Sequence, residues 1–275
     1  MNDESSVFFR SDGLRLHARR HVGRGARPVV VVPGITTPAG GFATIARAMA
    51  EVPGVSEVYV LDMRGRGLSE RAGHGRHRAA QYAEDVLALV EQLGLEAPLL
   101  FGHSLGARVV AHARAAVPGY SCGVVAVDPV LSGPGRRPYP TPLDHFVHEL
   151  RAAKEGRGLA QAKARFPSWS DEQIAQRVRW IATCDELAVV ESFSWFHLET
   201  FEEAWEAVPP PAVLLAGDES PAVTADDVKM LGELNPRATV RLLGHSGHMV
   251  PWDNLPGCLD AVSEVLAAVT REEQG

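Results

Sequence analysis

Short, continuously apolar runs alternate along the chain with stretches in which apolar residues recur every three or four positions. The runs are Val29 to Val32, Glu57 to Leu61, Leu99 to Phe101, Gly123 to Val127, Ala212 to Ala216 and Thr239 to Leu243. Continuous apolar strands of this kind belong inside a parallel sheet covered by helices on both faces. Helical periodicity between them predicts helices over 43–52, 79–93, 105–116, 225–234 and 257–270. The β-α-β-α order predicts an α/β fold with a doubly wound sheet. Phe8 to Leu16 reads as two strands joined by an Asp12-Gly13 turn, a hairpin at the edge of that sheet.

The alternation stops between about 132 and 209. This stretch opens with Ser132-Gly133-Pro134-Gly135, closes with Pro209-Pro210-Pro211, and between them reads as several short helices, one near Asp171 to Thr183. The expected organisation is a core of residues 1–131 and 210–275 carrying a helical cap, 132–209, inserted after the Gly123 to Val127 strand. Trp169, Trp180, Trp195 and Trp205 of the cap either line a pocket or pack it against the core.

Composition narrows the function classes. The 275 residues carry 27 Lys and Arg against 34 Asp and Glu, a formal net charge of -7, so nothing global attracts nucleic acid or an anionic membrane. An acidic ligand must be held by local arginines. The N-terminal residues show no signal-peptide pattern and no apolar run approaches a bilayer-spanning length, so a cytoplasmic protein is expected, monomeric or homo-oligomeric. Cys122, Cys184 and Cys258 are far apart and unpaired in sequence, which argues against a disulfide framework and against a zinc site. Neither a metal nor an organic cofactor is expected.

The chemistry centres on Gly102-His103-Ser104-Leu105-Gly106, a G-x-S-x-G pattern between a predicted strand and a predicted helix. That setting projects a serine hydroxyl from a sharp turn and leaves the Leu105 N–H at a helix N-terminus, where it can donate to a developing oxyanion. Gly102 and Gly106 suit a turn too tight for a Cβ. A serine hydroxyl needs a neighbouring base. His248, in the loop after the last strand, is preferred over its neighbour His245. Pro33-Gly34-Ile35 follows the Val29 to Val32 strand, and the Ile35 N–H is the expected second oxyanion donor.

These elements resemble the α/β-hydrolase family over nearly the whole chain, and Asp62-Met63-Arg64-Gly65-Arg66-Gly67-Leu68-Ser69 is similar to that family's D-x-R-G-x-G-x-S turn. The resemblance implies a mostly parallel eight-stranded sheet with an inserted helical cap. It also exposes a departure. In most members the triad acid follows the penultimate strand, where this chain reads Gly217-Asp218-Glu219-Ser220-Pro221, with serine in the acid's place. Two candidates remain: Asp218, two residues early, and Asp128, which ends the Gly123 to Val127 strand at the edge from which Ser104 emerges. Asp128 is preferred.

The Asp62 to Ser69 turn, Trp195 to Glu199, Gly217 to Thr224 and Gly247 to Asp253 resemble, more narrowly, the subgroup containing N-formylmaleamate deformylase and the 2-(acetamidomethylene)succinate hydrolases. That likeness implies the acid on Asp128. It further implies hydrolysis of an amide C–N bond in a small dicarboxylate, such as N-formylmaleamate, during N-heterocycle breakdown of the nicotinate type. Arg136, Arg137, Arg177 and Arg179 are candidates to hold an anionic small-molecule substrate, and Trp180 and Trp195 to close its pocket. A carboxylesterase or a C–C-bond hydrolase would use the same triad with another pocket. A non-catalytic ligand receptor on the same fold is the alternative from a different class.

Overall fold

The computed structural model describes residues 4–274. Eight strands form one sheet in the order β1-β2-β4-β3-β5-β6-β7-β8: β1 Glu4–Ser11, β2 Leu14–Val22, β3 Arg27–Val32, β4 Val55–Asp62, β5 Leu99–His103, β6 Gly123–Val127, β7 Ala212–Gly217 and β8 Thr239–Leu243. The β1–β2 and β2–β4 pairs are antiparallel, and all others are parallel. The hairpin turns at Asp12-Gly13, where both residues adopt positive φ, the conformation an Asp-Gly turn permits.

Helices cover both faces. Successive residues of β3 show why its sequence is apolar throughout: Val30 and Val32 enter one core, Val29 and Val31 the other. The first core packs under α2 (Ala79–Gln92) and α3 (Leu105–Ala116), the second under α1 (Ala43–Ala50) and α11 (Leu255–Gln274). Between β6 and β7 the chain runs through α4 (Leu143–Lys154), α5 (Gly158–Arg165), α6 (Asp171–Ile181), α7 (Glu186–Trp195) and α8 (Glu202–Ala207). Helices α9 (Ala225–Leu234) and α10 (Val250–Asp253) complete the order.

The turn after β4 ties these layers together through buried ions. Asp62 accepts from the backbone N–H groups of Ala39, at 2.6 Å, and Leu68, at 3.0 Å, and from His17 Nδ1 at 2.7 Å. Arg64 forms a two-pronged ion pair with Asp85 of α2, at 2.9 and 2.6 Å. Arg66 is 1% exposed and donates to the Ile35 carbonyl at 3.2 Å, Tyr82 Oη at 2.6 Å and Ser192 Oγ at 2.9 Å, joining the loop after β3 to α7. Arg108 on α3 is equally buried, stands over the Trp195 ring and donates to the carbonyls of Val130 and Ser132, both at 3.0 Å. Burial lowers its pKa to about 10, and with the carbonyls of Phe196 and Glu199 as further acceptors it ties the chain leaving β6 to the segment after α7. The three cysteines are free, Cys184 and Cys258 buried and Cys122 half-buried. Among the described residues no helix is long and apolar enough to cross a membrane.

Candidate active site

Ser104 occupies the single residue between β5 and α3 with φ 57° and ψ -116°, a conformation that costs a non-glycine residue about 1–3 kcal/mol. The surroundings hold it there, because its N–H donates to the Val127 carbonyl at 2.9 Å across the β5–β6 pair. Leu105 opens α3, so its N–H has no acceptor within the helix. The loop after β3 lies directly against the serine, since a Cβ on Gly34 would stand 3.5 Å from Ser104 Cβ. The glycines permit this approach: a Cβ on Gly106 would overlap the Val32 carbonyl, and one on Gly102 would overlap the Gly106 carbonyl. Gly106→Ala is therefore expected to destabilise the fold by about 2–3 kcal/mol. An unaltered urea midpoint would show that the turn has room the close approach denies.

Three residues from distant parts of the chain meet at the carboxyl edge of the sheet. Ser104 Oγ lies 3.0 Å from His248 Nε2, and His248 Nδ1 lies 2.6 Å from Asp128 Oδ2. A carboxylate only accepts hydrogen bonds, so Nδ1 carries the proton of the neutral ring and Nε2 presents its lone pair to the serine. Asp128 is fully buried, with φ 46°. Its Oδ1 accepts from the Gly217 N–H at 3.0 Å, and its Oδ2 accepts from the Ser220 hydroxyl at 2.6 Å as well as from His248. Ser220 thus donates to the carboxylate of Asp128 from the position where an acid was missed in the sequence. Asp218 is exposed and accepts from the Ser246 N–H at 3.1 Å, away from His248. His245 is exposed on the same loop.

The cavity in front of Ser104 is lined by Ile35, His103, Tyr139, Arg165, Arg177 and His248 among others. His103 is buried, and its Nε2–H donates to the His248 carbonyl at 2.8 Å. Burial, reinforced by the charge of a protonated His248, pushes its pKa down to about 3, so it is a neutral brace for the loop that carries His248. Arg177 on α6 reaches the cavity but is already engaged. Its guanidinium pairs with both oxygens of Glu149, at 3.2 and 3.1 Å, and donates to the Thr36 carbonyl at 3.1 Å and Thr36 Oγ1 at 2.9 Å. Burial opposes the Glu149 charge, yet Arg177 beside it holds the carboxyl below the usual glutamate range. Arg165, at the end of α5, donates to His145 and stands over the Phe166 ring, and among the described residues it has no carboxylate in ion-pair range. Burial pulls its pKa below the usual arginine value, Glu149 opposes that, and Arg177 adds to it.

Several residues expected at a substrate pocket point elsewhere. Arg136 and Arg137 both pair with Asp227 of α9, a partner some 90 positions along the chain, and neither lines the Ser104 cavity. Arg179 is exposed and stacks on Trp180. Trp180 packs against Gly40 and lines a neighbouring cleft with Arg177 and Trp252. Trp195 is buried beneath Arg108 and edges a different cleft with His77 and Glu191. Tyr139 and Arg165 were not singled out in the sequence. The first lies in an irregular loop and the second on a mostly exposed helix, and neither setting carries a pattern. No group of three or more His, Cys, Asp or Glu among the described residues is placed to hold a metal ion.

This strand-turn-helix serine on a mostly parallel sheet is the architecture of the alpha/beta hydrolase family, whose pattern matches residues 29–257, and the chain belongs to that family. It is a hydrolase by that membership and by its relatives. It is 37% identical over 257 residues to N-formylmaleamate deformylase of Pseudomonas putida, a match covering 93% of this chain and 94% of that one. The crystal structure of an N-formylmaleamic acid deformylase from the same species superposes with a TM-score of 0.86 at 33% identity, covering 94% of this chain and all (100%) of the other. The crystal structure of E-2-(acetamidomethylene)succinate hydrolase shares the fold with a TM-score of 0.77 at 21% identity, covering 96% and 99%.

Proposed function

We propose that the chain is a serine hydrolase that cleaves the C–N bond of an N-acyl amide on a small carboxylate, with N-formylmaleamate as the leading substrate. The observation that carries this reading is the hydrogen-bonded relay Ser104–His248–Asp128, at 3.0 and 2.6 Å, opening on a cavity lined by Arg165, which among the described residues has no carboxylate in ion-pair range. The relative at 37% identity supports the choice of substrate.

His248 takes the Ser104 proton as Oγ attacks the formyl carbon, and Asp128 stabilises the imidazolium that forms. The Ile35 and Leu105 N–H groups hold the oxyanion. The C–N bond then breaks, its electron pair leaves with nitrogen, and His248 Nε2 returns the proton to that nitrogen. Water, deprotonated by the same histidine, releases formate from Ser104. Arg165 holds the substrate carboxylate, because the charge of Arg177 is already matched by Glu149.

Arg165→Gln is accordingly expected to raise KM for a carboxylate-bearing substrate by roughly tenfold to a hundredfold, the scale of one charge-assisted hydrogen bond, and to leave an uncharged ester within about threefold. Equal losses on both substrates would remove Arg165 from this role. The substrate itself is tested by offering N-formylmaleamate, maleamate, N-acetyl enamides and simple esters while formate, acetate and ammonia are measured separately. Formate from N-formylmaleamate, well ahead of the other products, is expected. Ammonia from maleamate, or turnover of esters alone, would contradict the proposal.

A further inference from the structure

The relay above leaves one polar group at the reacting atoms without a task. Tyr139, in the loop between β6 and α4, is half-buried with its hydroxyl 3.0 Å from His248 Nε2, and it lines the same cavity as Ser104. Its ring is fixed by Phe146, Phe193 and Phe196, with centroids 6.1, 6.4 and 5.4 Å away, and its own N–H lies 3.3 Å from His197 Nε2. Burial, with the Asp128 carboxylate adding to it, holds the phenol protonated well above the usual tyrosine range, so it acts as a donor and not as a base.

Neutral His248 has one lone pair on Nε2, and two hydroxyls stand 3.0 Å from it. Once that nitrogen has taken the Ser104 proton it no longer accepts, and the Tyr139 hydroxyl must direct its hydrogen elsewhere. That change coincides with the moment at which negative charge develops on the substrate. The phenol also sits on the Nε2 side, which is where the departing group must lie to collect its proton from His248. We propose that Tyr139 is a further catalytic residue, whose hydroxyl donates a hydrogen bond to the leaving group of the substrate as the bond to the acyl carbon breaks. In an N-acyl amide the departing charge is shared between nitrogen and the carbonyl oxygen conjugated with it, and that oxygen is the acceptor. Tyr139 keeps its proton throughout; the proton on nitrogen comes from His248. In the second half-reaction water occupies the same place and accepts the same hydrogen bond.

The inference rests on the proposed acyl transfer but not on N-formylmaleamate, so its test uses a graded series of leaving groups. Wild type and Tyr139→Phe are compared on aryl acetates from p-nitrophenyl to phenyl acetate and on N-formylmaleamate, after labelling by a fluorophosphonate, whose fluoride leaves unaided, has shown Ser104 to be reactive in both. Tyr139→Phe is expected to label at a near-normal rate and to stay within about threefold on p-nitrophenyl acetate. Its loss should grow as the leaving group becomes poorer, to on the order of a hundredfold for the amide, the scale of one oriented donor. A loss equal across the series, or none, overturns the proposal. Tyr139→Met is measured alongside; if neither variant labels, the side chain is a structural requirement and the proposal also falls. Wild type that hydrolyses the esters but not N-formylmaleamate defeats the substrate assignment and leaves the ester series to decide on Tyr139. Wild type inert to label and to every substrate defeats both.

Discussion

Ser104→Ala is expected to lower kcat on p-nitrophenyl acetate by about a millionfold, the scale on which removal of a triad nucleophile acts. The reason is local. A hydroxyl is held there at φ 57° and 3.0 Å from His248 Nε2, and among the described residues no second serine or threonine hydroxyl is hydrogen-bonded to His248. The residual rate should come from the backbone donors of Ile35 and Leu105 and from substrate binding. Because the alanine side chain fits wherever serine does, urea unfolding should differ little from wild type. Steady-state kinetics with enzyme purified free of contaminating esterases checks the result. A variant that keeps a tenth of the wild-type rate would mean that water or another group attacks.

Asp128→Asn is expected to cost about 10⁴ in kcat on the same ester. The amide matches the carboxylate in size and leaves the fold intact, but its NH₂ group can donate, and near His248 Nδ1 it would favour the tautomer whose Nε2 carries hydrogen and cannot accept from Ser104. The three donors now on Asp128, from Gly217, Ser220 and His248, are arranged for an acceptor alone. Asp218→Asn, by contrast, should stay within a few-fold of wild type, because Asp218 is exposed and caps the Ser246 N–H. The reverse pattern, a large loss at position 218 and a small one at 128, would reassign the acid.

The fold was legible because its central strands, β3, β5, β6 and β7, declare themselves through both of their faces. Val29 to Val32 is apolar at every position since alternate valines enter opposite cores, and the edge hairpin is announced by Asp12-Gly13. The serine turn was legible through its glycines, whose need for space is local. The meeting of Ser104, His248 and Asp128 followed from position, because each ends a strand or a loop at one edge of the sheet. Ser220 was visible only as a missing acid; that its hydroxyl donates to Asp128 is a matter of 2.6 Å that no spacing contains. The arginines were the least legible. Arg136 is turned from the cavity by Asp227, and Arg177 is neutralised by Glu149, 28 residues away on another helix, while Arg165 remains without such a partner among the described residues. A charged side chain in a helical segment looks the same in sequence whether it is paired or free. Tyr139 reaches His248 from an irregular loop 109 residues away, where neither periodicity nor motif marks it.

The most direct test of the central claim, an activated Ser104, is covalent labelling of the folded protein with a fluorophosphonate followed by peptide mass mapping. One adduct per chain is expected, on Ser104, forming rapidly in wild type, slowly in Asp128→Asn and not at all in Ser104→Ala. Folded wild-type protein that acquires no adduct, or acquires it on another residue, would contradict the account.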